Sequence, residues 1–465
     1  MRSRVRALCD LAVPEAREYV GLHHDYDGVV QDLSPVGVRS GLAALGGTPV
    51  GDPHDEAHLR AAEEGARTAL GLVEEHRRNP LLHVANLDLS CYDRPYAPEA
   101  ERDAARRAHL AAWPDAVDAA VEALDRVPAP VARATLGPAR GLAAGLPPGD
   151  SPELEAARRS LRRLVAHLES LAAAPGPEVA LGGGLLARLM GDPEATVVDL
   201  SALARRAEAE RARVLDALAE ATGRLAPGRP PAEVVGRLLA DHPGPGQVDA
   251  IYRRAAEQIA EASEFCQERG LLPELGGECR VGPAPPSRRF AMAMISWNAP
   301  FEDDAPAWYY VNPPDPAWSQ EEQHQWLSVF SDTTLPAITV HEVVPGHFSH
   351  SRMLRRLGSE VRRALYSSAF VEAGPTLPRS SWSRRDSGPP TPASPWGCGW
   401  RPWCGCAAWR WPSACTPGPC PWRRRPEPSS PGPTWPARPP GPRRSGRPTT
   451  PPTAATPGAS LRSWP

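Results

Sequence analysis

Lysine is absent from this chain: all 52 basic residues are arginine. Alanine, arginine, glycine and proline abound instead, and their GC-rich codons point to a high-GC bacterial genome. Cysteine is scarce through residue 372. Cys9, Cys91, Cys266 and Cys279 are scattered without metal-type or disulfide-type spacing, which excludes a disulfide framework and reads as reduced thiols in a cytoplasm. No apolar run reaches the roughly 18 residues that a membrane helix needs. The first residues, with Arg2, Arg4 and Arg6 before Cys9, Asp10 and Glu15, lack the apolar centre of a signal peptide. Basic excess is also missing from most of the chain. The formal charge is -3, and residues 373–465 hold 13 Arg against Asp386 and Glu427, so residues 1–372 carry -14. An acidic body excludes the clustered positive surface of a nucleic-acid binder. The expectation is a soluble cytoplasmic protein with neither nucleic acid nor membrane as partner, and nothing in the sequence indicates its oligomeric state.

What is present is mostly helix. A chain of 465 residues can bury a large core. Apolar residues recur at three- and four-residue spacing over about 54–78, 98–126, 151–174, 196–223, 230–241 and 247–270, as in Leu161, Leu164, Val165, Leu168 and Leu171. Asp150-Ser151-Pro152-Glu153 predicts a helix start, with a capping residue, proline in the first turn and an acid near the positive dipole end. Strand character appears at 289–296 and again at 308–312, which includes Tyr310 and Asn312. Such a pair could align an extended peptide along its edge, making Tyr310 and Asn312 candidate substrate contacts; a small hairpin that merely covers the core fits equally. A further helix is expected over 320–335. The expected fold class is mainly α, with a helical scaffold region at 1–280 and a site region at 281–372.

The chemistry concentrates in His341-Glu342-Val343-Val344-Pro345-Gly346-His347, followed by His350. Two imidazoles and a carboxylate around an open position, with a general base beside them, make a catalytic zinc site. In an ordinary zinc-peptidase helix the histidines stand four residues apart, about 40° around the axis; here the separation is six, about 120° in a regular helix. Pro345 cannot donate a hydrogen bond back to His341 and Gly346 tolerates unusual dihedrals, so the helix is expected to bulge or break there and return His347 to His341. Glu342 is then the candidate general base. Glu372 is the candidate third ligand, with Glu360 as competitor in an arginine-rich surface setting. His350, one turn after His347, could bind metal with it or line the pocket. Isolated histidines such as His23, His24 and His324 read as ordinary core or surface residues.

The string from His341 to His350 resembles HExxPGHxxQ, the signature of a large bacterial family, domain-of-unknown-function family 885, whose members are read as zinc metallopeptidases. Gly21-Leu22-His23-His24-Asp25-Tyr26-Asp27, then Asp32-Leu33-Ser34-Pro35, and the Tyr-Tyr-Val-Asn strand are similar to other parts of its pattern. The likeness covers about residues 1–372. It implies a multi-helix, gluzincin-like peptidase fold, one zinc ion on His341 and His347, Glu342 as base, and a peptide substrate. The family's next motif, EGWAxYxE, begins at the acid corresponding to Glu372. This chain departs from the pattern with His350 in place of glutamine, and after Glu372 it loses the second motif altogether.

From Ala373 onward there is no Val, Ile, Phe, Tyr or Met, while 24 of the 57 prolines, 9 of the 14 tryptophans and 5 of the 9 cysteines crowd into 93 residues. A globular domain cannot be built from that composition, and disordered linkers are not so rich in Trp and Cys. Codons for Glu372 to Asp386 can be chosen so that one added G after the first codon opens EGWAHSAEEL. That is close to the missing motif, so the tail, expected to be disordered, reads as a frameshift product. A peptidase complete in ligands but lacking its C-terminal helices could be inactive. A non-catalytic helical protein retaining the motif to bind metal or partners is the other class.

Overall fold

The computed structural model describes residues 3–273, 275–302 and 305–372; the expected disorder of 373–465 lies outside them. The architecture is mainly helical with one three-stranded sheet. The helices that matter below are α1 (Pro53–Ala66), α2 (Pro80–Leu87), α3 (Glu99–Ala111), α4 (Trp113–Ala123), α5 (Ala129–Gly141), α6 (Pro152–Ala173), α7 (Leu200–Leu225) and α8 (Val248–Glu268). Strands β1 (Cys279–Gly282), β2 (Ala293–Ser296) and β3 (Ala307–Val311) follow, then α9 (Gln320–Leu327), α10 (Leu335–Glu342), α11 (His347–Leu354) and α12 (Glu360–Ala364).

Local chemistry explains most starts and stops. Ser151 caps α6 by accepting from the amide of Leu154, and Pro152 opens the first turn, where a missing N–H costs nothing. α6 buries Leu154, Ala157, Leu161, Leu164 and Leu168 on one stripe against α3, α4 and α5. The segment expected as one helix over 98–126 is two, because Pro114 opens a new helix right after α3. α7 is different in kind. Along its 26 residues only Thr222 is buried, and its surface carries pairs such as Arg211–Glu208 and Arg224–Glu220, which water screens until they add little to stability.

Two further cores meet the site. One gathers Val5, Leu8, Val20, Tyr26, Leu59 and Leu70 from the N-terminal helices with Val361 and Ala364 of α12. The other packs Ile251, Ala255 and Cys266 of α8 against Ala307, Tyr309 and Val311 of β3 and against Leu335, Val340 and Val343. The expected strand pair is a sheet of three in the order β1-β3-β2. β1 runs parallel to β3, and β2 antiparallel with Ile295 opposite Tyr309. The strand β1 is four residues long with Arg280 inside it, too short and too charged for period-2 alternation to reveal. The helix expected over 320–335 ends at Leu327, gives one tighter turn, and restarts at Leu335.

Two core histidines carry a pH dependence. His109 is fully buried; its Nε2 faces the carbonyl of Asn86 at 2.8 Å and its Nδ1 the hydroxyl of Tyr92 at 3.1 Å. A carbonyl only accepts, so Nε2 carries the proton and Nδ1 accepts, which is the neutral ring. His83 donates likewise to the carbonyl of His76. Burial pushes His109 down to about 3 and His83 to about 4, against about 6.5 in an unfolded chain. The unfolded state therefore binds more protons below pH 6.5. Stability is fully present above that pH and falls as pH drops toward 4, each ring adding a slope of up to about 1.4 kcal/mol per pH unit. Urea midpoints measured from pH 7 to 4.5 should show this fall, and it should be shallower in a His109→Gln variant; an unchanged slope would refute the assignment.

Candidate metal centre

Helix α10 delivers His341 and Glu342 in its last turn, and α11 starts on His347. Between them the chain turns sharply through residues 343–346, with a cis Val344-Pro345 peptide. The expected bulge is thus a full break into two helices. Gly346 makes the reversal possible. A Cβ built on it would lie 1.7 Å from the carbonyl oxygen of His341 and 2.6 Å from that of Val340. Any side chain would force the two helix ends apart. With hydrogen there, the rings of His341 and His347 come to 4.7 Å between centroids, nearly perpendicular at 81°.

Glu372 joins them from a short helical turn at 368–372. Its Oε2 lies 3.6 Å from Nε2 of His341 and 3.8 Å from Nε2 of His347. Among the described residues these three are the one group of histidine, cysteine or acid able to hold a metal ion, with ligand atoms all within 4.8 Å of each other. Bonds of about 2.0–2.1 Å in a tetrahedron place ligand atoms about 3.3 Å apart, so both distances to Glu372 lie within about 0.5 Å of zinc geometry. The protonation states suit that role. Burial, then the neighbouring His341, pushes His347 down to about 4, and the hydrogen bond with His341 holds the Glu372 carboxyl below its usual range. The Nδ1 atoms of His341 and His347 are buried without a hydrogen-bond partner. Ligating histidines ordinarily anchor that second nitrogen.

Glu342 is buried beside His341, on the side of β1 and β3, where its charge reaches the Tyr309 hydroxyl and the Cys279 thiol. Tyr309 was not singled out in the sequence, yet its hydroxyl is fully buried between Thr339 and Glu342. Tyr310 and Asn312, the expected substrate contacts, are not brought to the cluster. Strand alternation sends Tyr310 to the opposite face of the sheet, stacked on Trp308 with centroids 6.0 Å apart. The amide of Asn312 is spent on backbone: Oδ1 accepts from Ala284 N at 3.0 Å and Nδ2 donates to Ala291 O at 2.7 Å. Glu360 opens α12, outside the cluster. His350 sits one turn past His347 with its ring against Trp297 and Phe370, at centroid distances of 6.2 and 5.5 Å, and burial lowers it to about 4.

Trp297 is the second residue that the sequence did not betray. It packs edge-on against His347, His350 and Tyr366. The loop behind it is locked by the N-terminal segment. Glu302 is buried, held by His23 Nε2 at 2.8 Å and Arg94 at 2.6 Å, and it accepts from Asn298 and the amide of Ala299. His23 is itself stacked on Tyr96 at 3.5 Å and bonded to Asp27. Gly21, at φ +86°, lets this segment come so close that a Cβ would meet Glu302 N at 2.7 Å. From α11, Arg352 donates to Asn298, and Arg355, just past the helix end, donates to the carbonyl of Ala299.

The profile of the bacterial family described as "Bacterial protein of unknown function (DUF885)" matches residues 14–372. The chain belongs to the DUF885 family. Two solved structures are similar to it in fold. One is a "putative lipoprotein of unknown function" from Shewanella oneidensis, 16% identical with a TM-score of 0.56, matched over 81% of this chain and 74% of that one. The other is a "putative lipoprotein" from Colwellia psychrerythraea, 12% identical with a TM-score of 0.53, matched over 81% and 76%. No curated protein matches. The first family-like string, Gly21 to Asp27, thus has a physical role in this DUF885 member: it anchors the loop that carries Trp297 to the histidines.

A Gly346→Ala substitution should push α10 and α11 apart. We expect a loss of about 3 kcal/mol or more in urea denaturation together with loss of any divalent metal that the wild type retains after dialysis. A variant with wild-type midpoint and wild-type metal content would show that the close approach is not required.

Proposed function

We propose that the protein is a zinc-dependent metallopeptidase. The observation that carries this is the convergence of His341, His347 and Glu372 across a break that only glycine permits, with Glu342 one residue from the first ligand. Zinc bound by the three would supply Lewis-acid polarisation of a peptide carbonyl and a lowered pKa for a nearby water. Glu342, buried at the end of α10, takes a proton from the attacking water and returns it to the leaving amine. Trp297 and His350 wall the histidine side and keep it dry, while the buried hydroxyl of Tyr309 lies close enough to Glu342 to feel its charge. We infer further that residues 373–465 arise from a shifted reading frame, on the composition of that segment and the motif recovered by one added base. The reduced thiols Cys9, Cys91, Cys266 and Cys279, all unpaired with one another, support a cytoplasmic location. The lipoprotein descriptions of the two structural neighbours favour an envelope location instead, and cell fractionation decides between them. No described helix is long and apolar enough to cross a membrane.

A second reading, a metal-binding protein without turnover, draws on the 65% exposure of the Glu372 side chain, since catalytic ligands work in sites from which water is largely expelled.

Elemental analysis with a broad peptide-hydrolysis assay separates the two. One equivalent of zinc is expected, lost in His347→Ala. Glu342→Gln should keep the metal while hydrolysis drops at least about 100-fold. Wild-type protein without zinc sinks the site, and full activity in Glu342→Gln sinks the assigned base. Sequencing the DNA around codon 372 tests the frame directly: GAG-GGC-TGG there confirms the shift, and an uninterrupted reading frame rejects it.

A further inference from the structure

A cavity of about 450 Å³ opens under the N-terminal helices, a size typical of small-molecule pockets of about 300–1,000 Å³. Leu11, Leu33, Leu70 and Leu82 make its walls apolar, yet Glu15 and Glu75 also line it. No side chain among the described residues bonds or pairs with either carboxylate; Glu15 has only its own main-chain N–H. Burial raises both acids above their usual range; at Glu15 the charges of Glu18 and Glu75 add to this, and the charge of Arg17 only partly opposes it. Carboxylates in apolar surroundings are costly unless a cation joins them. Calcium or magnesium would require about six oxygen ligands, which this cavity does not offer. A cation on an alkyl stem matches both the walls and the acids.

The cavity also lies next to the candidate centre. Tyr366 lines it, stands 5.9 Å from Trp297 ring to ring, and feels the charge of Glu15 on one side and Glu372 on the other. Two wide helical turns, Ala16–Val20 and Arg67–Leu72, contribute to the walls, and such turns recur at functional sites.

We propose that this cavity is the specificity subsite of the enzyme, receiving the arginine or lysine side chain of a peptide held at His341, His347 and Glu372. The stem lies along the leucines and the cationic head meets Glu15 and Glu75. This assignment rests on the metallopeptidase reading. Calorimetry on the full chain tests it with N-acetyl-arginine amide, N-acetyl-lysine amide and the uncharged N-acetyl-norleucine amide. The two cationic amides should bind at least tenfold more tightly than the norleucine amide. A Glu15→Gln/Glu75→Gln double variant should lose that preference, keep its zinc content and melt at a higher temperature, because two unpaired acids are gone; a structural role would lower the melting temperature. Equal binding of all three amides, or a preference that survives the double substitution, overturns the subsite. Spermidine binding more tightly than either cationic amide overturns the peptide assignment in favour of free polyamines. Zinc uptake without a cation preference removes the subsite alone, whereas a cation preference without zinc uptake removes the catalytic reading beneath it.

Discussion

The close approach of Gly346 to the carbonyl of His341 is the constraint on which the candidate site depends. A helix that ran on through residue 347 would turn the two imidazoles about 120° apart. The chain instead stops at Glu342, doubles back against the helix end it has just left, and starts again on His347. That reversal needs a residue without a side chain at one position. It turns an unfavourable six-residue spacing into two rings close enough to share a ligand with Glu372.

A reversal of this kind leaves α11 dependent on external support, and the far end of the sequence supplies it. The loop at 297–302 touches α11 and its C-terminal cap through Asn298 and the carbonyl of Ala299, and it carries Trp297 against both histidines of that helix. Its shape is fixed by one buried acid. Burial works to raise Glu302, but His23 and Arg94 more than offset it, so its carboxyl is held below the usual range. A buried network of this type adds little net stability, since desolvation consumes much of the attraction. Its contribution is positional: few other arrangements satisfy Glu302, so the loop has one place to sit.

Much of this was legible in the sequence, for identifiable reasons. Periodicity revealed α6 because its buried face is a simple leucine stripe, and Ser151-Pro152 marked its start because capping is a local interaction. The break after Glu342 was legible because proline and glycine restrict and free the backbone locally. What stayed hidden depends on tertiary contact. α5 lies outside the expected helices and contains Gly137 and Pro138, both unfavourable inside a helix, yet packing of Ala132, Thr135 and Ala139 keeps it helical. Tyr309 and Tyr310 are adjacent and equal in chemistry; only the register of β3 decides which faces Glu342. Trp297 sits about fifty residues before the histidines it touches, with no pattern to link them.

The break has an electrostatic consequence that spacing alone does not convey. Ending α10 at Glu342 turns the negative end of that helix toward the cluster, while α11 presents its positive end from His347 onward. A carboxylate buried at the carbonyl end of a helix, as Glu342 is, sits in an unfavourable field. A cation there sits in a favourable one, and a divalent ion on His341 and His347 would reverse the sign of the potential at Glu342. Meanwhile Glu372 approaches the first turn of α11, the end at which acids are stabilised. One glycine-dependent reversal therefore sets the ligand geometry and brings helix ends of opposite sign together at the cluster, so the negative potential that favours a cation there comes from Glu342 and Glu372 rather than from the helices.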